Sequence, residues 1–150
     1  MKKQYVEGFD LSGMTVRTQN SDEMKSEIAK IAPLWQQFYQ DFGAKLNEQT
    51  NVYGVYSNYE SDHNSFYDIS AALNGLPKED LAGTETLSIA SGNYLVFSAT
   101  GKMPQIVVGL WQEIWQYFEK GDATYQRAYT TDFEHYKSAN EIEIYIAITE

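Results

Sequence analysis

The segment Glu141-Ile142-Glu143-Ile144-Tyr145-Ile146-Ala147-Ile148 carries the most pointed chemistry of this chain. With the two-residue period of a strand, Ile142, Ile144, Ile146 and Ile148 share one face; Glu141, Glu143, Tyr145 and Ala147 share the other. Four isoleucines require a core. The opposite face is either a solvated strand surface or a carboxylate held beside a tyrosine. The second arrangement attracts an organic cation, and surrounding rings add about 0.5–2 kcal/mol each. Glu143 and Tyr145 are therefore candidate ligand-binding residues. A lone glutamate can also act as a general base, which leaves a small hydrolase built on Glu143 as an alternative.

Two aromatic helix faces are the second candidate. Trp35 and Trp111 fall on apolar stripes at spacings of three and four. Tyr39 and Trp115 lie one position further round and flank those stripes, where a planar aromatic ligand could be sandwiched. Tyr56, in a β-rich segment, is a further candidate wall. Other chemistries find little support. His63 and His135 fall in turns, and neither His-x-x-x-His nor Asp-x-Asp spacing occurs. There is no cysteine, hence no disulfide framework or thiolate metal site. Nucleophile-elbow, phosphate-loop and dinucleotide motifs are absent. Neither metal nor cofactor is expected.

The composition narrows the partners. A formal net charge of −10, from 21 acids against 11 bases, disfavours direct nucleic-acid binding, which needs a basic face. A negative field attracts cations instead. Aromatic residues make up 15% of the chain, which suits a ring-lined site. The N-terminus has no apolar signal region, and no run approaches the roughly 18 apolar residues of a membrane span. No membrane association is expected, and a cytoplasmic location is.

These candidates must be positioned by a repeated scaffold. Pro33-Leu34-Trp35-Gln36-Gln37-Phe38-Tyr39-Gln40 returns as Gly109-Leu110-Trp111-Gln112-Glu113-Ile114-Trp115-Gln116, 76 residues later. Gln4 to Thr18 reads as extended with a break at Gly13. Asn20, as N-cap with Glu23, predicts a helix to Phe42 that Pro33 should kink and Gly43 should stop. Asn51–Tyr59 and Phe66–Leu73 read as a hairpin, and Asn74–Asp80 as a connection. Thr84–Ala99, bent at Ser91-Gly92, a helix from Pro104 to about Phe118, and strands at Arg127–Tyr136 and Glu141–Ile148 repeat the order. The chain reads as one domain (1–150) of two β-α-β-β modules, about 1–75 and 76–150. Asp68 is the repeat counterpart of Glu143.

This duplication, the Gly109–Trp115 helix segment and the closing strand Ile142–Ile148 resemble the GyrI-like effector-binding domains. Those domains also occur at the C-terminus of AraC- and MerR-type bacterial activators. Ala147 stands where the family's strand ending has proline. The resemblance covers essentially the whole chain. It implies an α+β fold with pseudo-two-fold symmetry, an antiparallel sheet and two main helices. It also implies binding of lipophilic, often cationic, small molecules, with Glu143 as the pocket-floor glutamate and Tyr145, Trp115, Trp111, Tyr39 and Tyr56 around it. Stand-alone members, some from integron gene cassettes, lack a DNA-binding domain, so a separate DNA-binding protein is the expected second partner. One branch inhibits gyrase, which keeps an acidic protein-interaction or inhibitor module as an alternative; another branch hydrolyses small reactive toxins.

Overall fold

A computed structural model describes residues 1–149. The strands are β1 (Lys2–Val6), β2 (Phe9–Thr18), β3 (Asn51–Ser57), β4 (Tyr67–Asn74), β5 (Glu85–Ile89), β6 (Gly92–Thr100), β7 (Thr131–Ser138) and β8 (Glu141–Ala147). The helices are a single turn α1 (Asn20–Glu23), α2 (Ile31–Phe42) and α3 (Gln105–Glu119). The fold is α+β. One antiparallel sheet runs in the order β1-β6-β8-β7-β3-β4-β2-β5. Read outward from the β7–β3 contact, the two sides are β3-β4-β2-β5 and β7-β8-β6-β1. The outermost strand on each side comes from the other half: β5 pairs with β2, and β1 pairs with β6.

Both long helices pack on one face of this sheet. Leu34, Phe38 and Phe42 of α2 bury against Ile69, Ala71 and Leu73 of β4. Leu110 and Ile114 of α3 bury against Ile142, Ile144 and Ile146 of β8. Each such side chain contributes about 1.5–3 kcal/mol on burial. On the other face the curled sheet closes over its own core of Leu11, Tyr53, Val55, Ile89, Tyr94, Phe133 and Ala147. The isoleucine face of β8 is thus the helix face.

The region before α2 departs from the sequence expectation. Met24 and Ile28, inside the helix expected from Asn20 to Phe42, are 88% and 44% exposed. The chain instead turns after α1, and the Glu23 carboxylate caps α2 by accepting Lys30 N–H (2.9 Å) and Ile31 N–H (3.0 Å). Pro33 therefore sits in the first turn of α2, where a missing N–H costs nothing, and the helix is not interrupted. Gly43 does not stop the chain in a left-handed conformation; it continues right-handed into a 3-10 turn ending at Lys45. The early strands break at Glu7-Gly8 and Ala90-Ser91 rather than at Gly13.

Candidate functional site

Between α2 and α3, over the centre of the sheet, lies a cavity of about 800 Å³. That falls in the size range of small-molecule sites. Trp35 and Tyr39 of α2 line one side, and Val107, Val108, Trp111 and Trp115 of α3 the other. Tyr56, Tyr67, Glu134 and Tyr136 line it from the sheet. The ring planes lie at varied angles. Trp111 meets Tyr56 edge-on at 5.2 Å and Trp115 at 6.0 Å, while Trp35 meets Tyr136 edge-on at 5.5 Å. Tyr39, 48% exposed, and Val108, 57% exposed, mark the open rim.

Among the described residues, the one fully buried carboxylate lining this cavity is Glu134, 2% exposed. Its Oε2 accepts Trp111 Nε1–H at 2.7 Å and Tyr56 O–H at 3.1 Å, and its Oε1 accepts Tyr136 O–H at 2.9 Å. Those donors are neutral, and no cation among the described residues pairs with it. Burial pushes its carboxyl above the usual carboxylate range, and the three hydrogen bonds pull the other way. Burial also pushes the hydroxyls of Tyr56 and Tyr136 well up, Glu134 adding to both, so they stay protonated as donors. Gly54 gives the carboxylate its room. It stands opposite Glu134 in the β3–β7 register, and a Cβ there would overlap Glu134 Oε1 and approach Trp35 to 3.2 Å.

The expected floor residue is elsewhere. Glu143 pairs with His135 across the β7–β8 ladder, on the face away from the helices, whereas Glu134 pairs with Ile144 on the helix face. Glu143 is half-buried, accepts Tyr145 O–H at 3.0 Å and lies 3.6 Å from Lys137 Nζ. Tyr145 stacks on Phe133 at 4.4 Å within the other core. Neither lines the cavity. Alternation along β8 was read correctly, but the cavity opens on the isoleucine side, because both helices cover that side. Asp68 likewise lies outside, paired with Arg17 at 3.1 Å. Trp111, Trp115, Tyr39 and Tyr56 are brought together around the cavity, and so is Trp35, which the stripe assigned to the core. Glu134 had one signal in the sequence: Asp132, Glu134 and Tyr136 alternate with apolar and ring residues, which a solvated strand face does equally well.

Beside Glu134 on the same strand face, Asp132 is fully buried and pairs with Arg127 at 2.7 Å. Tyr59 O–H donates to Asp132 at 2.5 Å, and Asp132 Oδ1 accepts Ala147 N–H at 2.8 Å. Arg127, Tyr59, His63 and Asn20 also line the cavity. No group of three His, Asp or Glu side chains among the described residues is disposed to hold a metal ion. No helix there is long and apolar enough to cross a membrane.

A reciprocally paired sheet with two helices flanking an aromatic-walled cavity is the build of an effector-binding domain. The chain belongs to the Cass2 family, integron-associated effector-binding proteins, whose model matches residues 4–148. It is 45% identical to the Vibrio cholerae integron cassette protein VCH_CASS2, whose crystal structure matches with a TM-score of 0.92 over 99% of this chain and 95% of that one. It is 33% identical to YobU of Bacillus subtilis (strain 168), over 91% of this chain and 90% of that protein. YobU carries a provisional description as a transcriptional regulator. The fold also matches that of SAV2435 bound to tetraphenylphosphonium, with a TM-score of 0.73 and 20% identity, over 99% of this chain and 93% of that one. The resemblance to effector-binding domains related to transcription regulators thus holds.

Proposed function

We propose that this protein is a non-catalytic receptor for amphipathic cations, which enter between α2 and α3 and are held over Glu134 by Trp35, Tyr39, Tyr56, Trp111 and Trp115. One observation carries this reading: Glu134 is a buried carboxylate with three neutral donors and no cationic partner among the described residues. An organic cation supplies the missing charge in a desolvated site, where Coulomb attraction between close opposite charges is several times stronger than in water. The rings provide quadrupole attraction and dispersion without competing charge. Tetraphenylphosphonium, the compound bound to SAV2435, has the size and single charge that such a cavity suits. Titrating tryptophan fluorescence with tetraphenylphosphonium tests the reading. Saturable quenching is expected, and no binding at solubility-limited concentrations contradicts it.

The two halves, about 1–75 and 76–150, act in this reading as one domain, since the central strands supply the floor and one helix from each half supplies a wall. A regulatory output passes through a separate DNA-binding protein in the cytoplasm, consistent with a net charge of −10 and with the YobU relationship. Hydrolysis through Glu143 has no geometric support, because that carboxylate faces Lys137 and Tyr145 outside the cavity. Both oxygens of Glu134 are already engaged as acceptors, which disfavours it as a general base.

A further inference from the structure

We propose that Arg127 forms a second, hydrogen-bond-donating subsite in the same cavity, so that the protein favours lipophilic cations whose tail carries an acceptor group. The inference rests on the cation reading above and extends it to the far end of the ligand. The Arg127 side chain is 5% exposed and lines the cavity. Its Nη2 donates to Asp132 Oδ2 at 2.7 Å and to Tyr59 Oη at 3.4 Å. Neither Nε, which is buried, nor Nη1 has a hydrogen-bond partner among the described residues. Buried polar groups are almost always satisfied, and a guanidinium offers five N–H donors. The ion pair with Asp132 accounts only for Nη2.

The group is also held in place. Tyr129 lies under the guanidinium at 4.5 Å and Tyr59 at 5.9 Å from their ring centres. Tyr129 in turn meets His63 Nδ1 at 3.1 Å. Asn20, Tyr59 and His63 share the cavity lining with Arg127, making this its polar end. Asp132 and Glu134 are two residues apart on one strand face, about 7 Å along an extended chain. A cation on Glu134 and an acceptor on Arg127 are therefore separated by roughly one short tail.

Among the described lining acids, Glu134 and Glu23 both accept only from neutral donors. The acid nearest the Arg127 guanidinium, Asp132, is already paired with it.

The test uses two triphenylphosphonium compounds whose tails match in length: pentyl and 4-carboxybutyl. Affinities are measured by calorimetry on the intact protein. The carboxybutyl compound should bind about tenfold tighter than the pentyl one. The chain has two arginines, Arg17 and Arg127, so the Arg127 Nε–H resonance is assignable by NMR. It should shift with the carboxybutyl compound and not with the pentyl one. The paired substitution Arg127→Met with Asp132→Asn removes both buried charges together, and should abolish the carboxybutyl preference while pentyl binding persists. Equal affinity of the pentyl and carboxybutyl compounds, a static Arg127 Nε–H resonance, or a preference that survives the paired substitution would each overturn the subsite. If the paired variant does not fold, the wild-type affinities and the resonance decide the matter. Failure of the pentyl compound to bind at all instead overturns the cation reading, and the subsite falls with it.

Discussion

Gly54 on β3 stands directly opposite Glu134 on β7, and a single methyl group at position 54 would occupy the space of the Glu134 carboxylate. The buried acid exists at that depth because its cross-strand neighbour has no side chain. Trp35 closes on the same spot, 3.2 Å from the position a Cβ would take. A backbone choice on one strand thus positions a charge on the next.

Gly54→Ala should accordingly push Glu134 and Trp35 aside. Overpacking of this kind costs about 1–3 kcal/mol. A lowered urea midpoint together with weaker tetraphenylphosphonium binding is expected. Unchanged stability and affinity would show that the carboxylate does not need that space.

Trp111→Phe removes the 2.7 Å indole donor to Glu134 and keeps most of the ring surface. A lost hydrogen bond to a buried charged acceptor costs about 1.5–3 kcal/mol. The variant should be less stable by roughly that amount. Its Glu134 carboxyl should titrate at higher pH than in the wild type, since one of the bonds favouring the charged form is gone. Carboxyl-carbon NMR of Glu134 reads this directly.

Acidification should weaken cation binding. Burial holds the Glu134 carboxyl above the usual carboxylate range, so protonation begins at a higher pH than for a surface glutamate. Affinity for tetraphenylphosphonium should fall as pH drops through that raised value, and the fall should be absent in Glu134→Gln. Stability runs the other way. The folded state binds the proton more tightly than the unfolded chain, so the contribution of this group declines as pH rises from about 4.3 through the raised folded value, then levels off. The difference in urea midpoint between wild type and Glu134→Gln, followed against pH, checks the sign.

Much of this arrangement was legible in the sequence. The Leu-Trp-Gln repeat located both long helices, and the apolar stripes identified Leu34, Phe38, Leu110 and Ile114 as buried. The α+β class followed, but the single strand expected before each long helix is two strands, β1-β2 and β5-β6. Tyr39, Tyr56, Trp111 and Trp115 were named as walls, and they converge on the cavity. The acid was misread for a specific reason. Alternation assigns residues to faces but does not say which face the helices cover. Glu143 stood out against its isoleucines, yet the isoleucines themselves lie under α3 and share the cavity's side of the sheet. Glu134 became recognisable only through the β7–β8 register, which is irregular between Tyr136 and Ser138. The N-terminal half of the first helix failed because Glu23, apparently a capping-box partner for Asn20, caps a helix that starts eight residues later.

The central claim is that Glu134, not Glu143, supplies the charge that selects cations. Calorimetric titration of tetraphenylphosphonium into wild type, Glu134→Gln and Glu143→Gln tests it most directly, with circular dichroism confirming each fold. Glu143 pairs with Lys137 at a partly exposed site, where such pairs contribute about 0–1 kcal/mol, and it does not line the cavity between the helices. Glu143→Gln should therefore bind as the wild type does, while Glu134→Gln, which removes the charge–charge attraction in a desolvated site, should lose about tenfold or more in affinity. Full affinity in Glu134→Gln, or a loss confined to Glu143→Gln, would contradict the account.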